Sequence, residues 1–114
     1  MTPKYEVEAF LQSFRQKVKI WGLLVADSRE VNSKALVELE LSPLKREETI
    51  TSLTINNYSE GPSKPNYGTD IWIFGQTRED KEIYIKLTLG EKGTPALCIS
   101  FHTADYPLTY PFKR

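Results

Sequence analysis

Two neighbouring segments near the end of the chain carry side chains that are suited to chemistry. Alternation along residues 82–89 places Tyr84 and Lys86 on one side of a strand, and alternation along 96–102 places Ser100 and His102 together. A phenol, an ammonium, a hydroxyl and an imidazole can donate hydrogen bonds, hold negative charge and move a proton near neutral pH. The alternative is an ordinary half-solvated sheet whose outer face is polar without any chemical role.

These segments belong to a run of three predicted β-strands, residues 71–77, 82–89 and 96–102, with short turn-rich connections. Strands this close in sequence favour an antiparallel meander. The residues predicted to face the helices are Ile83, Ile85, Leu87, Leu89, Leu97, Ile99 and Phe101. The residues predicted to lie on the opposite face with Tyr84 and Lys86 are Trp72, Phe74, Gln76, Thr88, Cys98, Ser100 and His102.

The first half of the chain has the patterns of helices. Apolar residues at Phe10, Phe14 and Val18 predict a helix over residues 3–19, with Thr2 as its N-cap. A second helix is predicted to begin at an Asn32 or Ser33 cap, and a third after Ser42, where Pro43 fits the first helical position. The apolar segment 20–26 is a candidate fourth strand, and residues 54–67 are predicted to form a loop.

Together these patterns predict one domain over residues 1–114. Its class is α+β, with N-terminal helices packed on one face of a three- to four-stranded, mainly antiparallel sheet. The tail from residue 103 onward contains two Tyr-Pro pairs, Tyr106-Pro107 and Tyr110-Pro111, which favour extended backbone. We expect this tail to pack on the domain, to border the site or to hold a partner.

Composition limits the classes of function. Fifteen Lys and Arg balance fifteen Asp and Glu, and the pI is near 6.6, so we expect no DNA binding by this chain alone. One cysteine and one histidine cannot form a disulfide or a Cys/His zinc site, and we predict no metal and no cofactor. No apolar run approaches the about 20 residues that a membrane span needs. The N-terminus also lacks a signal-peptide core, so the predicted location is cytoplasmic.

Metal-free RNA cleavage is the reaction that these residue types fit best. It requires a base for the 2′-hydroxyl proton, a cation near the phosphate and an acid for the leaving oxygen. We assign His102 to proton transfer, Lys86 to charge stabilisation and Tyr84 to donation of a hydrogen bond or a proton. Tyr58 or Trp72 is predicted to stack on a base of single-stranded RNA. An alternative for Tyr58 is that it only pins its loop to the body of the domain.

The order of several short motifs resembles the MqsR-like toxins of bacterial type II toxin–antitoxin systems. The matching segments within residues 20–114 are 58–62, 70–75, 81–86, 98–102 and 106–112. The resemblance implies a RelE-like fold and an mRNA endoribonuclease without a metal. It also implies two partners, single-stranded mRNA and a cognate antitoxin protein.

Individual positions carry the resemblance unevenly. Tyr84 and Lys86 match the Tyr-x-Lys strand of the family, in which the tyrosine is implicated in cleavage. Tyr58 matches a tyrosine that precedes a functional lysine, but the next residue here is Ser59. His102 stands where the family has a lysine. A glutamine that follows Trp in the family is Ile73 here, so Gln76 becomes the candidate RNA contact, together with Ser100. The second hypothesis is a non-catalytic module that binds RNA or protein.

Overall fold

The computed structural model describes residues 2–27, 29–65 and 68–113. Over these ranges the chain forms three α-helices, one short 3-10 turn and a sheet of five strands. The helices are α1 (Lys4–Trp21), α2 (Glu30–Glu38) and α3 (Pro43–Thr51), and the 3-10 turn is Ile55–Asn57. The strands are β1 (Leu23–Val25), β2 (Tyr58–Ser63), β3 (Ile71–Arg78), β4 (Lys81–Thr88) and β5 (Ala96–Thr103). The predicted α+β class is confirmed.

The sheet is mixed, and its strand order is β1-β5-β4-β3-β2. The antiparallel pairing of β3 with β4 and of β4 with β5 confirms the predicted meander. β1 pairs in parallel with β5 through Leu23↔Ala96 and Val25↔Cys98. The described sheet therefore has five strands, more than the three or four that the sequence predicts, because β2 also joins it.

β2 lies inside the segment that was predicted to be a loop. The Gly61-Pro62 pair and the polar residues around it are typical of turns. β2 is nevertheless an edge strand, where a proline is tolerated because one row of backbone groups has no partner strand. Its register with β3 shifts twice, between Tyr58 and Glu60 and between Glu60 and Ser63. The loop prediction was wrong for residues 58–63.

α1 supplies the largest share of the helical side of the core. Val7, Phe10, Leu11 and Phe14 are buried, and the Phe10 ring stacks on Trp72 with centroids 4.7 Å apart. The predicted Thr2 cap is wrong, since the N-cap is Pro3 and makes no side-chain cap bond. The apolar spacing still identified the buried stripe correctly.

α2 begins three or four residues earlier than the predicted Asn32 or Ser33 cap implies, because its N-cap is Arg29. Asn32 is fully buried, and its amide binds the edge of β5. Nδ2 donates to Ile99 O at 2.9 Å and to Ala26 O at 2.9 Å, and Phe101 N donates to Oδ1 at 3.1 Å. The Asn32 side chain thus replaces the neighbouring strand at the point where β1 has ended.

α3 begins as predicted, with Ser42 Oγ accepting a hydrogen bond from Lys45 N at 3.0 Å. Arg46 on this helix is 4% exposed and forms two hydrogen bonds to the carboxylate of Asp27, each 2.9 Å long. This pair ties the segment between β1 and α2 to α3, and that segment also carries Arg29.

A β-bulge in β5 changes which residues face the core. Lys86 pairs with Ser100 while the next β4 residue, Leu87, pairs with Cys98, so Ile99 is an extra residue. Cys98 is therefore fully buried on the core side, whereas Leu97 pairs with Thr88 on the outer side. The predicted faces of Leu97 and Cys98 were wrong, and those of Phe101 and His102 were right.

Within the residues described, no helix combines the length and the apolar composition that crossing a membrane requires.

Candidate functional site

Tyr84 and His102 lie side by side on the outer face, which we define as the face of the sheet opposite the hydrophobic core. They are direct cross-strand partners, and their rings stack with centroids 5.3 Å apart and planes inclined by 19°. Both side chains are half-buried. A proton-donating phenol and an imidazole are thereby held next to each other on β4 and β5, two neighbouring antiparallel strands.

The backbone of β5 fixes the proton on the His102 ring. Nδ1 lies 2.9 Å from the carbonyl oxygen of Thr103. A carbonyl oxygen only accepts hydrogen bonds, so Nδ1 is the protonated nitrogen in the neutral ring. The Nε2 lone pair is then left to accept a proton, as a general base requires.

The surroundings of Tyr84 favour its protonated form. Burial raises the pKa of the Tyr84 phenol above its ordinary value, the ionisable groups of Tyr106 and Glu60 add to the rise, and Arg29 opposes it. The phenol therefore stays protonated at neutral pH. Its chemistry in this site is donation of a hydrogen bond or of a proton, while His102 Nε2 is the acceptor.

Two cationic side chains occupy the next row of the outer face. Lys86 pairs with Ser100 across β4 and β5 and is half-buried. Arg29 Nη1 donates to Ser100 Oγ at 2.7 Å and to Ile99 O at 2.8 Å, and the Arg29 residue is exposed. An arginine has five N–H donors, of which these bonds use two. The row therefore offers an ammonium and a guanidinium for binding a phosphate.

Arg29 is a site residue that sequence reasoning missed. It lies in a polar segment before α2, and its contact with Ser100 spans 71 positions of sequence. The short apolar segment 20–26 before it indicated only a candidate fourth strand, and nothing in the local sequence indicated that residue 29 reaches β5. The feature that brings residue 29 to the bulge of β5 is the parallel pairing of β1 with β5. The sequence pattern does not reveal this pairing.

The structure does not bring the other predicted RNA contacts to this site. Trp72 and Gln76 pair with Leu87 and Ile83 on the core side of the sheet, so their predicted placement beside Tyr84 was wrong. Trp72 is 7% exposed and packed against α1. The run from Ile71 onward is apolar at four successive positions, so alternation does not reveal which residues face the core.

Tyr58 and Ser100 are likewise covered. Tyr58 is 4% exposed, packs edge-on against Trp72 and Phe74, and donates its hydroxyl hydrogen to Gly61 O at 2.5 Å. Its alternative role, pinning its segment to the body, is the one that the contacts support. Ser100 lies on the predicted face but is 1% exposed and serves as the hydrogen-bond acceptor for Arg29.

Within the described ranges, no three His, Cys, Asp or Glu side chains lie close enough together to hold a metal ion. Comparison of the chain with models of protein families, with curated proteins and with solved structures found no significant match.

Proposed function

We propose that the protein is an endoribonuclease that cleaves single-stranded mRNA without a metal ion, as the toxin of a type II toxin–antitoxin pair. The observation that carries the proposal is the stacked Tyr84–His102 pair beside Lys86 and Arg29 on the outer face. The motif resemblance supports the toxin assignment, the RelE-like arrangement and a cognate antitoxin as partner. The α+β class and the antiparallel pairing of β3, β4 and β5 agree with it.

In the proposed reaction the 2′-oxygen of one nucleotide attacks the adjacent phosphorus. His102 Nε2 takes the 2′-hydroxyl proton while the new P–O2′ bond forms. The P–O5′ bond breaks, and the Tyr84 phenol donates a hydrogen bond or its proton to the leaving 5′-oxygen. The products are a 2′,3′-cyclic phosphate and a 5′-hydroxyl, so no water, metal or oxidant is consumed in this step.

The cations of the neighbouring row stabilise the charge that develops on the phosphorane. Because Arg29 is anchored on Ser100 Oγ and Ile99 O, its guanidinium is held in place before substrate binds. A donor that is already oriented stabilises a transition state without reorganisation at the moment of reaction. Lys86 provides the second positive charge from the adjacent strand.

The test is cleavage of a long single-stranded RNA in EDTA by the wild type, His102→Ala and Tyr84→Phe. We expect each substitution to slow cleavage by about 10²- to 10⁴-fold, the usual contribution of a general acid or base. The new 5′ ends are expected to be hydroxyls that a kinase labels directly. Replacing the 2′-hydroxyl at a mapped cleavage position by hydrogen is expected to abolish cutting there.

Tyr5→Phe is the matched control for Tyr84→Phe, because it removes the same hydroxyl group from a different tyrosine. Tyr5 is 71% exposed and lies on α1. It is expected to cut as fast as the wild type. Equal cutting by all four proteins would show that the activity belongs to another site or to a contaminant.

The second candidate is a binding module without catalysis on the same scaffold. The net charge of zero favours the protein-binding form of this candidate, because strong sequence-independent RNA binding normally uses a basic surface. The absence of cutting of several RNAs by the wild type, together with measurable RNA or protein binding, would select this candidate over the nuclease.

A further inference from the structure

The C-terminal segment after β5 is fastened to the outer face by one carboxylate-bearing residue, Glu82. Ala104 N donates to Glu82 O at 2.8 Å, Leu108 N donates to Glu82 Oε1 at 3.0 Å, and the Tyr110 hydroxyl donates to Oε2 at 2.6 Å. Glu82 precedes Tyr84 by two positions on β4, so both side chains are on the same face. The turn over residues 104–108 is therefore held at both ends next to the candidate site.

The same segment also packs directly on β3. Leu108 is 9% exposed, and a Cβ atom placed on Gly75 would come within 2.6 Å of Leu108 Cδ1 and would also collide with the Tyr110 hydroxyl. Gly75 is the β3 partner of Tyr84. A glycine at this position thus allows the tail to lie directly on the sheet, one strand away from the Tyr84 ring.

Tyr106 is the exposed aromatic residue in this fastened turn. It is 56% exposed, although the residues on either side of the turn are held by Glu82. The following Pro107 narrows the backbone conformations open to Tyr106. The turn that carries Tyr106 lies next to Tyr84, because its anchor Glu82 precedes Tyr84 by two positions on β4 and Leu108 packs over Gly75, the β3 partner of Tyr84.

We propose that Tyr106 is the stacking platform for a nucleobase next to the scissile phosphate, and that residues 104–110 form one wall of the RNA site. The proposal rests on the proposed ribonuclease function and adds the residue that recognises the base. The two aromatic residues expected from the sequence, Tyr58 and Trp72, are 4% and 7% exposed and packed in the core. An exposed ring on a restrained turn beside the Tyr84–His102 pair supplies the π-face that single-stranded RNA recognition uses.

The test separates binding from cleavage by using a fluorescein-labelled 2′-O-methyl RNA, which lacks the attacking hydroxyl. We expect Tyr106→Ala to weaken its binding, followed by anisotropy, by about 5- to 100-fold, the effect of losing one base–aromatic stack. Tyr106→Phe keeps the ring and is expected to bind within about twofold of the wild type. Tyr5→Ala removes another exposed tyrosine, on α1, and is expected to bind normally.

A scan with single abasic positions locates the stacked base. At the position of the stacked base, removing the base and Tyr106→Ala are expected to weaken binding by less than the sum of their separate effects, because each removes the same contact. Glu82→Ala, which releases the turn but keeps the Tyr106 ring, is expected to weaken binding as well, with circular dichroism confirming that the domain is folded.

Several results would overturn the inference without deciding the nuclease question. These are wild-type affinity in Tyr106→Ala, equal losses in Tyr106→Phe and Tyr106→Ala, or no binding of the 2′-O-methyl RNA by the wild type. Cleavage by the wild type with unchanged KM and kcat in Tyr106→Ala would leave the ribonuclease proposal standing and remove the platform. If RNA binding depends on the Tyr106 ring but the protein cuts no RNA, the stacking platform stands and the ribonuclease proposal is removed.

Discussion

The Asn32 amide replaces a neighbouring strand on β5, and we predict that Asn32→Ala destabilises the fold by about 2–4 kcal/mol. The Phe101 N–H loses its acceptor, and an unsatisfied buried donor costs about 1–3 kcal/mol. The bonds from Nδ2 to Ala26 O and Ile99 O contribute about 0.5–1.5 kcal/mol each. Part of that loss is recovered, since Ile99 O keeps its bond from Arg29 and alanine favours the helix by about 0.5 kcal/mol over asparagine.

Urea denaturation measures this cost. At a slope of about 1.5 kcal/mol per molar urea, a loss of about 3 kcal/mol moves the midpoint down by about 2 M while the slope stays the same. Hydrogen exchange adds a local measurement, because the Phe101 amide should lose more protection than the β3 and β4 amides.

Ser33→Ala is the neighbouring control. Ser33 is exposed and makes one bond, to Asp27 O at 2.9 Å, so its loss is expected to cost less than about 0.5 kcal/mol. A cost for Asn32→Ala below about 1 kcal/mol, or no greater than that of Ser33→Ala, would refute the idea that this amide satisfies the strand edge.

Two further predictions concern buried groups. Burial raises the pKa of the Cys98 thiol to about 12. The unfolded thiol loses its proton at lower pH, so the free energy of unfolding should fall by up to about 1.4 kcal/mol per pH unit above about pH 8.5. Urea titrations between pH 8 and 10 should show a shallower fall in Cys98→Ala, and an unchanged slope would contradict the assignment. Asp27→Asn leaves the buried Arg46 guanidinium without its counter-charge and should cost about 1.5–3 kcal/mol, less than for a fully buried pair because the Asp27 side chain is 49% exposed. Lys34→Ala removes an exposed ion pair and should cost less than about 0.5 kcal/mol in the same denaturation assay. Equal costs would show that the Arg46 pair is no better than a surface pair.

The sequence pattern correctly predicted the buried side of α1, the two faces of β4 and the start of α3. Phe10 and Phe14 identified the buried stripe of α1, and alternation along β4 separated the core face from Tyr84 and Lys86. Ser42 combined a cap with a following proline, and α3 begins there. In each case the pattern and the burial that it predicts extend over several residues of one element.

The remaining features depend on contacts that a local pattern does not encode. β3 begins with Ile71, Trp72, Ile73 and Phe74, all apolar, so either set of alternate residues fits the core equally well. Because of the extra residue Ile99, the β5 residues before the bulge face the opposite side from the one that strict alternation predicts, whereas Ser100 and the residues after it face the predicted side. For this reason the same reasoning placed His102 correctly and Cys98 incorrectly.

The bulge also explains how a second cation reaches the site. The pairing of β1 with β5 ends where Ala26 N donates to Cys98 O at 3.0 Å, and among the residues that the structure describes no strand pairs with this edge of β5 beyond that point. A free edge carbonyl needs a donor, and Ile99 O receives two, from Asn32 Nδ2 and from Arg29 Nη1. A longer β1 would satisfy this carbonyl with backbone and leave the guanidinium no anchor. The short parallel strand is therefore the feature that positions Arg29 beside Lys86, and a catalytic role for Arg29 depends on where β1 ends.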